Sequence, residues 1–201
     1  MNKLAQFISI ILHPILLPTW MFIIFIVSGI WEVSFINTEI CLALVFGTTF
    51  ILPALSLILL KRLKVIESYT MNKREERFIP IFFVIVFLYV TSRFFNGIQA
   101  LAIYNFYLIC NLILCVIVFG INFWWKISMH QIGWGAFTAT LLIMTTISSK
   151  LYLPYFIISI ILSGIVGSAR LYLKSHNESQ IYVGYVVGFI SVCLFWQFTI
   201  Q

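Results

Sequence analysis

From Ile40 to Leu60 the chain runs without one charged side chain, and from Leu151 to Val166 it does so again. Runs of that length and apolarity leave few folds open. A water-soluble domain covers itself with charge, at roughly 25% of its residues. This 201-residue chain has only 9% charged residues against 62% hydrophobic ones, with a mean hydropathy of +1.09. Lipid must therefore act as solvent for much of it. In hydrocarbon every backbone N–H and C=O needs an internal partner, so only helices and closed barrels span. Barrel strands alternate apolar and polar residues, whereas these runs are nearly continuous. The expected fold class is all-α, a polytopic transmembrane helix bundle.

A spanning helix needs about 20 mostly apolar residues. On that ruler the spans fall at roughly 7–30, 40–60, 78–95, 103–122, 131–148, 151–170 and 181–200. The bundle is thus expected to have about seven spans within a single integral membrane domain, 1–201. The first run contains His13-Pro14 and Pro18, which predict a kink or an interfacial turn. It continues to Ile30 without a small-residue cleavage site, so it reads as a membrane helix and not as a removed signal. Seven crossings put ten of the twelve lysines and arginines on the N-terminal side, with only Arg93 and Lys150 opposite. The positive-inside rule then puts that side in the cytoplasm of a cell-membrane protein.

Cys41, Cys110, Cys115 and Cys193 all fall in apolar runs and read as small buried hydrophobes. None has metal-ligand spacing to a histidine. The chain has no aspartate and only three histidines. His130 and His176 lie at helix ends on the cation-rich side. An even number of crossings separates Arg77, His130 and His176 from one another, so all three can meet at one membrane surface. The three stretches concerned are 72–80, 126–130 and 168–180. Arginine holds phosphate oxygens in a bidentate fork, and helix N-termini add N–H donors. Two histidines can divide nucleophilic and general-acid roles. The pattern suits a tetrahedral oxyanion such as phosphate.

Over roughly residues 70–190 the chain resembles the type 2 phosphatidic acid phosphatases, the membrane relatives of vanadium haloperoxidases. Their third motif has arginine, five residues, histidine, three residues and aspartate. Arg170 and His176 keep that spacing after Gly167-Ser168-Ala169, although the family usually has serine where Ala169 stands. Their second motif, Pro-Ser-Gly-His, matches Ser128 and His130 but has Ile127 and Met129 at the other two places. Their first motif is lysine, six residues, then Arg-Pro. Here Pro80 follows Arg77 by three residues, Thr70 occupies the lysine position, and Lys73 is the nearest substitute. The resemblance implies that His176 attacks phosphorus and that His130 protonates the leaving alcohol. It further implies that Arg170, Arg77, Ser128, Lys73 and Lys126 hold phosphate oxygens. No metal or other cofactor is implied, because cations supply the charge stabilisation. The partners implied are a phosphorylated lipid substrate and membrane lipids, not nucleic acid; homo-oligomers are also open. Related lipid phosphatases often face outward, which conflicts with the sidedness drawn from charge.

The main departure is Gln180, where the family has the aspartate that orients the nucleophile. A glutamine oxygen can accept from an imidazole but cannot balance an imidazolium. Bland readings stand beside these. Arg170 and His176 also fit a cationic helix end meeting head groups. Ser128 and His130 fit a polar interfacial turn. Lys73 and Arg77 fit a solvated mixed-charge loop. Lys126 after Trp124-Trp125 fits an interfacial anchor. His13-Pro14 fits a structural turn, and Gly184 with Gly188 a helix-packing stripe. Two rivals to a phosphatase follow: a non-catalytic protein of the same fold that binds anionic lipid, and a small transporter. For the transporter, Asn111 is the clearest mid-helix polar residue.

Overall fold

The computed structural model describes residues 2–29, 37–69, 71 and 73–200. Thr70, which stands where the resemblance has a lysine, lies outside them. The chain is 84% helix, with no strand among the described residues. Six helical stretches are long and apolar enough to cross a membrane. They are Asn2–Ser28, Thr38–Arg62, Glu75–Phe95, Gln99–Ile121, Ser149–Tyr172 and Glu178–Thr199. These are the features of a multi-pass integral membrane protein.

Nine α-helices make up the described residues: α1 Asn2–Ile11, α2 Leu17–Ser28, α3 Thr38–Phe46, α4 Leu52–Arg62, α5 Phe78–Phe95, α6 Ala102–Ile121, α7 Met129–Ile147, α8 Ser149–Tyr172 and α9 Glu178–Ile200. They form two compact units. One gathers the chain up to Leu17 with everything from Lys126 onward, and the other is Pro18–Trp125.

The Pro18–Trp125 unit is built on aromatic packing. The Tyr104 ring lies 4.9 Å from Phe22, 5.6 Å from Phe95 and 5.9 Å from Phe25, and its hydroxyl donates to Pro18 O at 3.2 Å. Between α3 and α4 the helix widens to a π-turn over Gly47–Ile51. Pro53 has no N–H for the Thr49 carbonyl, so the α-helical ladder cannot continue there. The loop before α5 is tied down by its own polar groups. Glu76 accepts from Glu67 N at 2.9 Å, and Arg74 donates to Phe123 O at 2.9 Å.

In the other unit α7 is the centre. Thirteen of its nineteen residues are buried. It carries Gln131, Thr138 and Thr140 inside, and Gly133 and Gly135 as well. Those residues explain why it is the one long helix that falls outside the apolar set: protein, not lipid, surrounds it. α9 reaches it backbone to backbone. A Cβ on Gly135 would stand 2.2 Å from Tyr185 O, and one on Gly188 would stand 2.1 Å from Ile132 O. The glycine stripe of α9 is therefore a packing seam. α8 is held to α7 by Gln131, whose amide donates to Ser163 O at 3.0 Å.

The proline at 14 ends α1. His13 takes an extended conformation (φ −67°, ψ 134°), as a residue before proline prefers. A short 3₁₀ turn, Pro14–Leu16, follows. Trp134 Nε1 donates to Leu12 O at 3.0 Å and docks this break on α7.

Candidate functional site

The arginine and histidine of the third motif stretch are joined by the turn that ends α8. Lys174 adopts the left-handed conformation at φ 51°. Ser175 N donates to Arg170 O at 3.1 Å, and Lys174 N donates to Leu171 O at 2.9 Å. This pair of bonds is a Schellman cap, here with lysine where glycine is usual. It turns the chain back so that His176 returns beside the last turn of α8.

α9 then starts with a reciprocal cap. Asn177 Oδ1 accepts from Gln180 N at 2.9 Å, and Gln180 Oε1 accepts from Asn177 N at 3.3 Å. The same Oε1 stands 2.9 Å from His176 Nδ1. A backbone N–H can only donate, so the Asn177 contact orients the amide with oxygen inward. His176 Nδ1 must then carry a proton. Gln180 Oε1 thus accepts from the His176 ring, and His176 itself is buried.

Ser128 and His130 open α7. Ser128 N donates to Gln180 O at 3.2 Å, which lays this stretch against the start of α9. A Cβ on Gly184 would stand 3.0 Å from Ser128 O, so glycine there permits the approach. His130 is buried, and its Nε2 lies 3.3 Å from Ser9 O. Its ring meets that of His13 edge to face at 4.7 Å. It also lies within Coulombic reach of Arg170 and His176. Arg170 Nη1 donates to Ser9 Oγ at 2.9 Å. Ser128 Oγ and Arg170 Nε are buried with no hydrogen-bond partner.

One unit therefore holds His130, His176, Arg170, Ser128 and Gln180, with half-buried Lys126 leading into α7. Arg77 and Lys73 belong to the other unit, where both have local partners. Arg77 is buried and donates from Nε to Met71 O at 3.2 Å, while Lys73 pairs with Glu67 on the exposed loop. Sequence reasoning passed over Ser9. The only trace of it in the sequence is its spacing from Ala5, one helical turn earlier on the buried side of α1. His13, read first as a structural turn, is both that and a neighbour of His130. Its Nδ1 accepts from Ile15 N at 3.3 Å.

An apolar groove of about 520 Å³ runs between α1 and α8, lined by Ala5, Ile8, Gly164, Ile165, Ala169 and Tyr172. It ends next to Arg170 in sequence and one turn from Ser9. The arrangement offers two buried polar atoms without partners, Arg170 Nε and Ser128 Oγ, in the unit that holds the three histidines. Compared with protein-family models, characterised proteins and solved structures, the chain matches none.

Proposed function

We propose that the chain is an integral membrane phosphatase that hydrolyses a lipid phosphate monoester or pyrophosphate. The observation that carries this reading is the pair of orphaned polar atoms, Arg170 Nε and Ser128 Oγ, buried in a unit that also gathers three histidines. Burying polar groups without partners is costly, and a phosphate oxygen satisfies both. The contact between His176 Nδ1 and Gln180 Oε1 adds to this, because it fixes the imidazole with Nδ1 toward the helix cap.

The reaction runs in two displacements. His176 Nε2 attacks phosphorus, the P–N bond forms, and the P–O bond to the leaving group breaks. His130, as the imidazolium, delivers a proton to the departing oxygen and becomes neutral. Water then attacks the phosphohistidine, His130 takes a proton from it, and the P–N bond breaks to release phosphate. Arg170 and Ser128 hold the non-bridging oxygens throughout. The apolar groove beside Arg170 supports a lipid tail as the remainder of the substrate. In this reading α7 is the seventh crossing, carried across inside protein, and the cell membrane is its setting.

A second reading, a non-catalytic binder of anionic lipid, is favoured by one observation: Gln180 is neutral. A transporter gains little from Asn111, whose amide donates to its own helix at Tyr107 O, 2.8 Å away. The test is phosphate release from phosphatidate and polyprenyl pyrophosphate by purified protein in detergent. The enzyme reading expects release that vanishes in both His176→Ala and His130→Ala. Undiminished release in both variants would remove these histidines from the mechanism.

A further inference from the structure

Ser9 lies outside all three motif stretches, yet it touches two side chains of the site, Arg170 and His130. It is only 6% exposed. Its hydroxyl accepts from Arg170 Nη1 at 2.9 Å, and its carbonyl oxygen stands 3.3 Å from His130 Nε2. A carbonyl oxygen has no proton, so this second bond exists only with hydrogen on His130 Nε2. One residue of α1 thus contacts the guanidinium and the imidazole that the proposed chemistry needs to act together.

We propose that Ser9 is a positioning residue of the anion site. It turns the Arg170 guanidinium so that Nε faces the bound anion, and it fixes the His130 ring by accepting its Nε2–H. The proposal rests on the phosphate-site reading above. The guanidinium is planar and rigid, so fixing Nη1 on Ser9 fixes the direction of Nε as well. Accepting from Arg170 also leaves the serine's own O–H to donate to an oxygen of the ligand. A carbonyl at His130 selects one tautomer, and the edge of the His13 ring limits how the imidazole can tilt.

The local sequence is suited to this. Ala5 and Ser9 are the buried residues of α1, one turn apart. Ala5, with Ser168 and Ala169 of α8, lines the groove between the two helices. His13 caps its own turn and sets its ring edge against His130.

The experiment measures binding of inorganic phosphate to the full-length protein in detergent by calorimetry, with the thermal midpoint of each variant recorded alongside. Ser9→Ala is expected to weaken phosphate binding roughly tenfold, the size of one lost charge-assisted hydrogen bond. Ser9→Thr, which restores the hydroxyl, is expected to bind like the wild type. Ser9→Cys keeps the size of serine but is a poor acceptor, and it is expected to follow alanine. It carries the test if Ser9→Ala does not fold. Wild-type binding in folded Ser9→Ala or Ser9→Cys, with binding lost in Arg170→Ala, overturns the role of Ser9 and leaves the site standing. Wild-type binding in Arg170→Ala removes the phosphate site itself.

Discussion

Gln180 Oε1 accepts both the Asn177 backbone N–H, at 3.3 Å, and the His176 Nδ1 proton, at 2.9 Å. One amide oxygen thus caps a helix and orients a candidate nucleophile. The length of the side chain matters for both. Glutamate has the same reach and adds a negative charge, while aspartate is one methylene shorter.

Gln180→Glu is therefore expected to raise the rate of phosphate release at least about tenfold, part of the roughly 10⁴-fold that the comparable charge carries in a serine protease triad. Gln180→Asp is expected to gain less, because it gives up either the cap or the histidine. Initial rates on a lipid phosphate decide between them. A rate for Gln180→Glu at or below wild type would mean that missing charge is not what limits the site.

Arg170→Lys removes the planar fork that donates to Ser9 while keeping the positive charge that the proposed reaction uses. Turnover is expected to fall by about 10²–10³-fold, as for other lost transition-state donors, with little change in thermal midpoint. Steady-state kinetics beside a melting curve separate the two effects. Activity within a few-fold of wild type would show that charge alone suffices there.

Lys174 holds the left-handed position of the cap that ends α8, at φ 51°. Glycine meets no Cβ clash in that conformation. Lys174→Gly is expected to stabilise the fold by up to ~1 kcal/mol, measured by unfolding in detergent. Destabilisation would mean that the lysine side chain holds a partner worth more than the strain.

The α7–α9 seam gives a paired prediction. A methyl on Gly188 would stand 2.1 Å from Ile132 O, whereas one on Gly164 meets nothing within 4 Å. Gly188→Ala is expected to cost about 1–3 kcal/mol or more through overpacking. Gly164→Ala is expected to be neutral or to stabilise by up to ~1 kcal/mol through helix propensity. Thermal midpoints of the two variants should move apart. Equal midpoints would show that α9 can retreat from α7 at little cost.

Much of the helical layout was legible in the apolar runs. The expected spans at 78–95 and 103–122 correspond to α5, Phe78–Phe95, and α6, Ala102–Ile121. The break at His13-Pro14 was legible because proline chemistry is local. So was the spacing of Arg170 and His176, since a helix end and its returning turn span only a few residues. Other features were hidden. The expected span at 131–148 is a helix, but a periodicity count cannot tell that protein surrounds it. Arg77 fitted either a phosphate-holding cation or a solvated charged loop, and its burial with a bond to Met71 O is decided by the fold.

Composition and local pattern alone determined that this chain is helical, lipid-embedded and rich in cations near three histidines. Backbone groups cannot go unpaired in hydrocarbon, and that demand is readable residue by residue. Only the tertiary structure decided that Ser9 would reach Arg170, 161 positions away. That contact depends on how closely α1 approaches α8 and how α7 seats the turn at His13. Such distances arise from packed surfaces, and no short stretch of sequence carries them.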